Sequence, residues 1–143
     1  MRYLVINLFV ITLLFTGCKK EKSTNDRILE IVKDSLKVEK PFNKILILQE
    51  HGCGTCNKKF ADYIVDQKQN DSTLVILSLQ NISGYINADE IKDVIIDRKQ
   101  LFYKANVLNH SAVILMKKNE IDTILNFSDA RVFNQNLEYL SER

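Results

Sequence analysis

The chain has 143 residues, a length that suits one domain. Hydrophobic residues make up 45% of it and charged residues 27%, which is the composition of an ordinary globular protein. The formal net charge is +2, and it falls to +1 if the segment before Cys18, which contains Arg2, is removed. So small a charge excludes the strongly basic surface that nucleic-acid binding requires, and no nucleic acid is expected among the partners.

Residues 1–17 have the pattern of an export signal. Arg2 is followed by an uncharged apolar run over residues 3–15, and small residues then precede Cys18. The run is short for a membrane-spanning helix but suits a cleaved signal. It resembles a bacterial lipoprotein signal peptide, with an uncleaved anchor or an ordinary signal peptide as alternatives. The resemblance implies that Cys18 carries lipid and anchors the protein to a bacterial membrane, facing the periplasm.

A connecting region follows the signal. Residues 18–27 are polar and charged, which predicts a tether between membrane and domain. Apolar residues at helical spacing then predict a short helix over residues 28–37. Pro41 ends this lead-in, which covers residues 28–43, so the main domain is expected to span residues 44–143.

The first half of the predicted domain is a strand, a helix and a strand. The continuous apolar runs at residues 44–48 and 73–79 predict strands buried on both faces of a sheet. Between these runs, an apolar stripe after Cys53 predicts an amphipathic helix. The stripe consists of Cys56, Phe60, Tyr63 and Ile64.

The second half predicts a helix, a hairpin and a last helix. A capping motif at residues 87–90 predicts a helix with the apolar face Ile91, Val94, Ile95, Leu101 and Phe102. Residues 111–116 predict a third strand, and residues 121–127 predict an edge strand joined to it. Ser128 or Asp129 is expected to cap the last helix. The predicted fold class is α/β, with a central mixed sheet and helices on both faces.

This order of elements, with Cys-x-x-Cys at a helix start, is similar to the thioredoxin-like fold. Together with the lipoprotein-like N-terminus, it resembles the extracytoplasmic thiol–disulfide oxidoreductases. The resemblance covers residues 44–140. It implies disulfide exchange with protein thiols or disulfides in the cell envelope, an unidentified partner that regenerates the redox state, and no cofactor.

The resemblance assigns the catalytic roles to Cys53 and Cys56. The attacking species in disulfide exchange is a thiolate, and a helix N-terminus stabilises negative charge. Cys53 is therefore expected to be the nucleophile, and Cys56, one turn further along the helix, to resolve the mixed disulfide. A purely structural disulfide is the alternative, although so short a loop adds little stability.

The chain departs from the family pattern around the cysteines. Gly52 and Thr55 stand where reducing members carry an aromatic residue and a proline. Ile47 stands at the position of a buried acid, so Glu50 is the nearest carboxylate that could take a proton from the second thiol. Ser111 stands at the cis-proline position of the loop facing the pair, where a trans peptide is expected. Replacing Ser111 with Pro is expected to rebuild the family's groove.

Both histidines of the chain, His51 and His110, are expected beside the cysteine pair. As imidazolium groups they would stabilise the Cys53 thiolate. As neutral ligands they would join Cys53 and Cys56 in a tetrahedral site for zinc or cuprous ion. Redox exchange is the predicted function. Metal binding or delivery is the main alternative, and a binding module with a spectator disulfide is a further one.

Overall fold

The computed structural model describes residues 21–67, 70–80 and 86–141. Within these residues the strands are β1 (Lys44–Gln49), β2 (Thr73–Ser78), β3 (Val94–Ile96), β4 (Ala112–Lys117) and β5 (Glu120–Asn126). The α-helices are α1 (Thr24–Glu30), α2 (Gly54–Asp66), α3 (Leu101–Lys104) and α4 (Ala130–Ser141). None of the helices in these ranges is long and apolar enough to cross a membrane. The predicted signal peptide, residues 1–17, and Cys18 lie outside the described residues.

The five strands form one mixed sheet in the order β3-β2-β1-β4-β5. β1, β2 and β3 are parallel, whereas β4 is antiparallel to both of its neighbours. β4 and β5 form the predicted hairpin, and Lys118 and Asn119 at its turn have φ of 53° and 65°, as tight hairpin turns require. This is a thioredoxin-like α/β architecture, so the predicted fold class is confirmed.

Each face of the sheet is covered by helices, because successive side chains of a strand point to opposite faces. Ile47 of β1 packs on the face covered by α1 and α3, and Leu48 packs on the face covered by α2 and α4. On the second face, the ring of Phe127 lies 4.7 Å from that of Phe60 and 5.1 Å from that of Phe133. The core therefore holds β1 from both sides, and β1 leads directly into the Cys-x-x-Cys motif.

The prediction of one helix from residue 87 onwards is wrong. Asn87 caps only a 3-10 turn, Ala88–Glu90, and the chain then forms β3 and the short helix α3. All three residues of β3 are β-branched, and they pair with β2 in parallel register. The pairing satisfies backbone groups that β2 would otherwise expose at the edge of the sheet. A contact distant in sequence thus overrides the local helical spacing.

The first helix begins earlier than predicted. α1 starts at Thr24, inside the segment 18–27 that the sequence predicts as a tether, and continues through a π-helical turn, Ile31–Ser35. A reciprocal capping box explains the early start. The Ser23 hydroxyl accepts from the N–H of Asp26 at 3.1 Å, and the Asp26 carboxylate accepts from the N–H of Ser23 at 3.2 Å.

The last helix is capped by Asp129, one of the two residues predicted for that role. Its carboxylate accepts hydrogen bonds from the N–H groups of Arg131 and Val132, each at 3.0 Å. Chiefly through the bond from Val132, these contacts hold the pKa of the Asp129 carboxyl below its ordinary value. The charged form of Asp129 is therefore the one that stabilises the start of α4.

Candidate functional site

Cys53 and Cys56 form a disulfide at the start of α2. Cys53 is the N-cap residue, and its sulfur accepts a hydrogen bond from the N–H of Cys56 at 3.2 Å. Cys53 is half-buried, whereas Cys56 is 2% exposed and packs in the core with Phe60 and Ile64. The pair therefore has one accessible member and one buried member.

The electrostatic environment of the disulfide is that of a helix N-terminus. The first turn of α2 presents backbone N–H groups and the positive end of the helix dipole to the Cys53 sulfur. No acidic residue lies in this turn to offset that field. Such surroundings favour a thiolate over a thiol. A close cysteine pair at this position in an α/β fold is compatible with thiol–disulfide exchange.

Gly52 and His110 are in direct contact beside the disulfide. Gly52 has φ of +106°, a conformation that residues with a Cβ rarely adopt, and a Cβ built there would lie 2.8 Å from Nδ1 of His110. The His110 ring therefore occupies the space into which an aromatic residue at position 52 would have to project. Among the described residues, His110 Nδ1 is buried without a hydrogen-bond partner. The expectation that His110 lies in the loop beside the cysteines is in accord with this contact.

His51 is directed toward α3. Its ring stacks on Tyr103, with centroids 3.9 Å apart and planes inclined by 21°. Its Nε2 lies 3.4 Å from Oε1 of Gln100. His51 and His110 thus have different neighbours. His51 precedes Gly52 in the chain, whereas His110 contacts Gly52 from a distant loop.

The alternative metal site is not assembled in this form of the protein. Cys53 and Cys56 are bonded to each other, and His51 is engaged by Tyr103 and Gln100. Across residues 21–67, 70–80 and 86–141, no group of three or more His, Cys, Asp or Glu side chains is placed to hold a metal ion.

Glu50 is held at the rim of the sheet. Its Oε2 accepts from the backbone N–H of Gln80 and from the side-chain amide of Gln100, both at 3.0 Å. Ile47 is fully buried in the core cluster on the α1 face. Cys56 belongs to the cluster on the opposite face. Glu50 is therefore the carboxylate of the loop before Cys53, and its side chain contacts the segment after β2 and the residue that precedes α3.

Gln100 is a site residue that the sequence does not reveal. It is 4% exposed and adopts a left-handed backbone conformation, with φ 53° and ψ 50°. One end of its amide contacts Glu50 and the other contacts His51. A non-glycine residue in this conformation is uncommon and is often found at functional sites. No motif marks Gln100, because its role depends on the turn between β3 and α3.

Ser111 is fully buried at the start of β4. All peptide bonds of the described residues are trans, so the trans peptide expected before Ser111 is confirmed. Its hydroxyl accepts from the N–H of Gln49 at 3.0 Å and donates to Oδ1 of Asn57 at 2.8 Å. Because both hydrogen bonds are made to buried groups of the protein, the Ser111 hydroxyl has a structural role and is not available to a substrate.

Comparison with known proteins adds no name to this geometry. No protein-family model, curated protein or solved structure matches the chain significantly. The thioredoxin-like architecture and the cysteine pair at the start of α2 are therefore the findings on which a function can be argued.

Proposed function

We propose that this protein is a thiol–disulfide oxidoreductase that exchanges disulfides with protein thiols of the cell envelope. The observation that carries the proposal is the Cys53–Cys56 disulfide at the N-terminus of α2, with Cys53 accessible and Cys56 buried. A structural disulfide closing so short a loop would add little stability, which favours a reactive role over a structural one.

In the oxidising direction, a client thiolate attacks the Cys53 sulfur. The Cys53–Cys56 bond breaks, and its electron pair leaves with Cys56 as a thiolate that then takes up a proton. A second client thiolate attacks the client sulfur of the mixed disulfide and releases Cys53 as a thiolate. The client loses two electrons and gains a disulfide, and the protein becomes a dithiol.

In the reducing direction, the same steps run in reverse. The Cys53 thiolate attacks a client disulfide, and Cys56 then attacks Cys53 to release the reduced client. A second thiol or disulfide partner restores the starting state of the protein. In either direction the accessible cysteine forms the mixed disulfide, because the buried one has no comparable path to a protein client.

The surroundings of Cys53 support its role as the nucleophile. The N–H of Cys56 and the dipole of α2 stabilise negative charge on its sulfur. His110 contacts Gly52, the neighbouring residue, and a protonated imidazole there would add to this stabilisation. Alkylation of the reduced protein at neutral pH is therefore expected to modify Cys53 before Cys56.

The proposal includes a lipid anchor at Cys18, supported by the apolar run over residues 3–15 and the small residues before the cysteine. Metabolic labelling with a fatty-acid analogue is expected to mark the wild-type protein and not Cys18→Ala. Equal labelling of the two proteins would contradict the anchor. Cys53→Ser is the matched control, since it also removes one thiol but is expected to keep the label.

Redox titration of the full-length protein in detergent tests the proposed activity. The wild type is expected to reach a reversible equilibrium with reduced and oxidised glutathione, monitored by acid-quenched thiol trapping and mass spectrometry. Cys18→Ala should titrate like the wild type, whereas Cys53→Ser should lose the transition. A disulfide that glutathione neither forms nor reduces would overturn the proposal.

Metal analysis of the same reduced samples tests the alternative function. Redox exchange predicts no requirement for zinc or cuprous ion. Tight, stoichiometric metal on the reduced wild type, lost in both His51→Ala and His110→Ala, would instead assign the cysteines and histidines to a metal site.

A further inference from the structure

Two buried polar side chains, those of Asn57 and Ser111, lie beneath the loop that carries Cys53. Asn57 is 1% exposed and follows Cys56 on α2, on a face otherwise occupied by apolar residues. Ser111 is fully buried at the start of β4. Burying polar groups is costly unless they are hydrogen-bonded, so the partners of these side chains show what they hold in place.

These side chains bind each other, the last residue of β1 and the first two residues of the connection between β1 and α2. Ser111 Oγ accepts from the N–H of Gln49 and donates to Oδ1 of Asn57, at 3.0 Å and 2.8 Å. The Asn57 amide nitrogen lies 3.4 Å from the carbonyl oxygen of Glu50 and 3.5 Å from that of His51. Three consecutive residues before Gly52 are therefore tied, through two side chains, to α2 and to β4.

Glu50 and His51 are also held through their side chains, by Gln80, Gln100 and Tyr103, whereas Asn57 and Ser111 bind the backbone of this stretch. Gly52, which joins this backbone to Cys53, carries no side chain and has φ of +106°, so the residues before it have to fix the path of the chain. The Cys53 sulfur accepts the N–H of Cys56 only while the loop keeps it over the end of α2. A thiolate displaced from that position would lose the N–H groups and dipole that stabilise it.

We propose that Asn57 and Ser111 are positioning residues for disulfide exchange, holding the loop before Cys53 so that its sulfur stays on the N–H groups that open α2. The inference rests on the proposed function of Cys53. In this role the Ser111 hydroxyl holds the loop by its hydrogen bonds to Asn57 and Gln49.

The test is the pH dependence of Cys53 alkylation in the reduced full-length protein, resolved by peptide mass spectrometry. Ser111→Ala and Asn57→Ala are each expected to lower the rate at mildly acidic pH by about two- to fivefold, the size of a helix-terminus effect, and to move the profile to higher pH. Ser111→Thr keeps the hydroxyl and should retain a profile close to the wild type. Since the two side chains act as one network, the double variant should lose less than the product of the two single effects.

Thr73→Ala is the matched control, because it removes a buried hydroxyl at the opposite end of the sheet. Because the Thr73 hydroxyl has no hydrogen-bond partner among the described residues, its removal breaks no hydrogen bond and is expected to leave the Cys53 profile unchanged. Wild-type profiles in both Ser111→Ala and Asn57→Ala, or an equal shift in Thr73→Ala, would overturn the positioning role. A wild type that exchanges no disulfides would overturn the proposed function as well. Glutathione equilibration, measured on the same samples as the alkylation, therefore separates failure of the positioning role from failure of the redox function. If one single variant does not fold, the other decides the result.

Discussion

Cys56→Ser is expected to accumulate mixed disulfides with client proteins, whereas Cys53→Ser is expected to accumulate none. In Cys56→Ser the accessible Cys53 can still attack, but the buried thiol that would release the client is gone. Turnover of a disulfide-bonded reporter should fall to the background rate in both variants. Non-reducing electrophoresis after acid quenching, with mass spectrometry of the adducts, measures the trapped species.

The control for trapping is the double variant Cys53→Ser/Cys56→Ser, which should form no adducts while keeping the thioredoxin-like fold. Adducts on Cys56 in the Cys53→Ser protein would show that the nucleophile and the resolving residue are assigned the wrong way round. Trapping on neither residue would remove the support for a redox role.

Ser111→Pro is expected to destabilise the protein instead of rebuilding the groove that the family resemblance predicts. Proline has no hydroxyl, so the N–H of Gln49 and Oδ1 of Asn57 would both be left without their buried partner. At about 1–3 kcal/mol for each buried unsatisfied group, the free energy of unfolding should fall by about 2–6 kcal/mol. Urea denaturation of the oxidised wild type and variant, monitored by circular dichroism, measures the change.

Ser111→Ala is the matched control for this loss, since it removes the same hydroxyl without adding a ring or restricting the backbone of His110. It should be destabilised less than Ser111→Pro. A Ser111→Pro protein as stable as the wild type and faster in exchange would mean that the hydroxyl network is dispensable and that the family's groove can form in this chain.

The local sequence was sufficient for most of the framework. The continuous apolar runs of β1 and β2 predict strands that are buried on both faces of the sheet. The apolar stripe after Cys53 predicts a helix that packs against the sheet. The hairpin and a cap at Ser128 or Asp129 were also evident, because turn and capping chemistry acts over a few neighbouring residues. Local patterns failed at residues 87–102, where β3 forms because the edge of β2 is available to pair with it.

By itself, the sequence determined the cysteine pair, its place between a strand and a helix, and the class of fold around it. Only the tertiary structure decided which side chains surround the pair. Gln100 reaches Glu50 and His51 through a left-handed turn, and Asn57 meets Ser111 across 54 positions of the chain. Periodicity and spacing report how a residue relates to its near neighbours in the chain. Hydrogen bonds between elements depend instead on how the sheet brings distant segments together, and that is settled when the whole core packs.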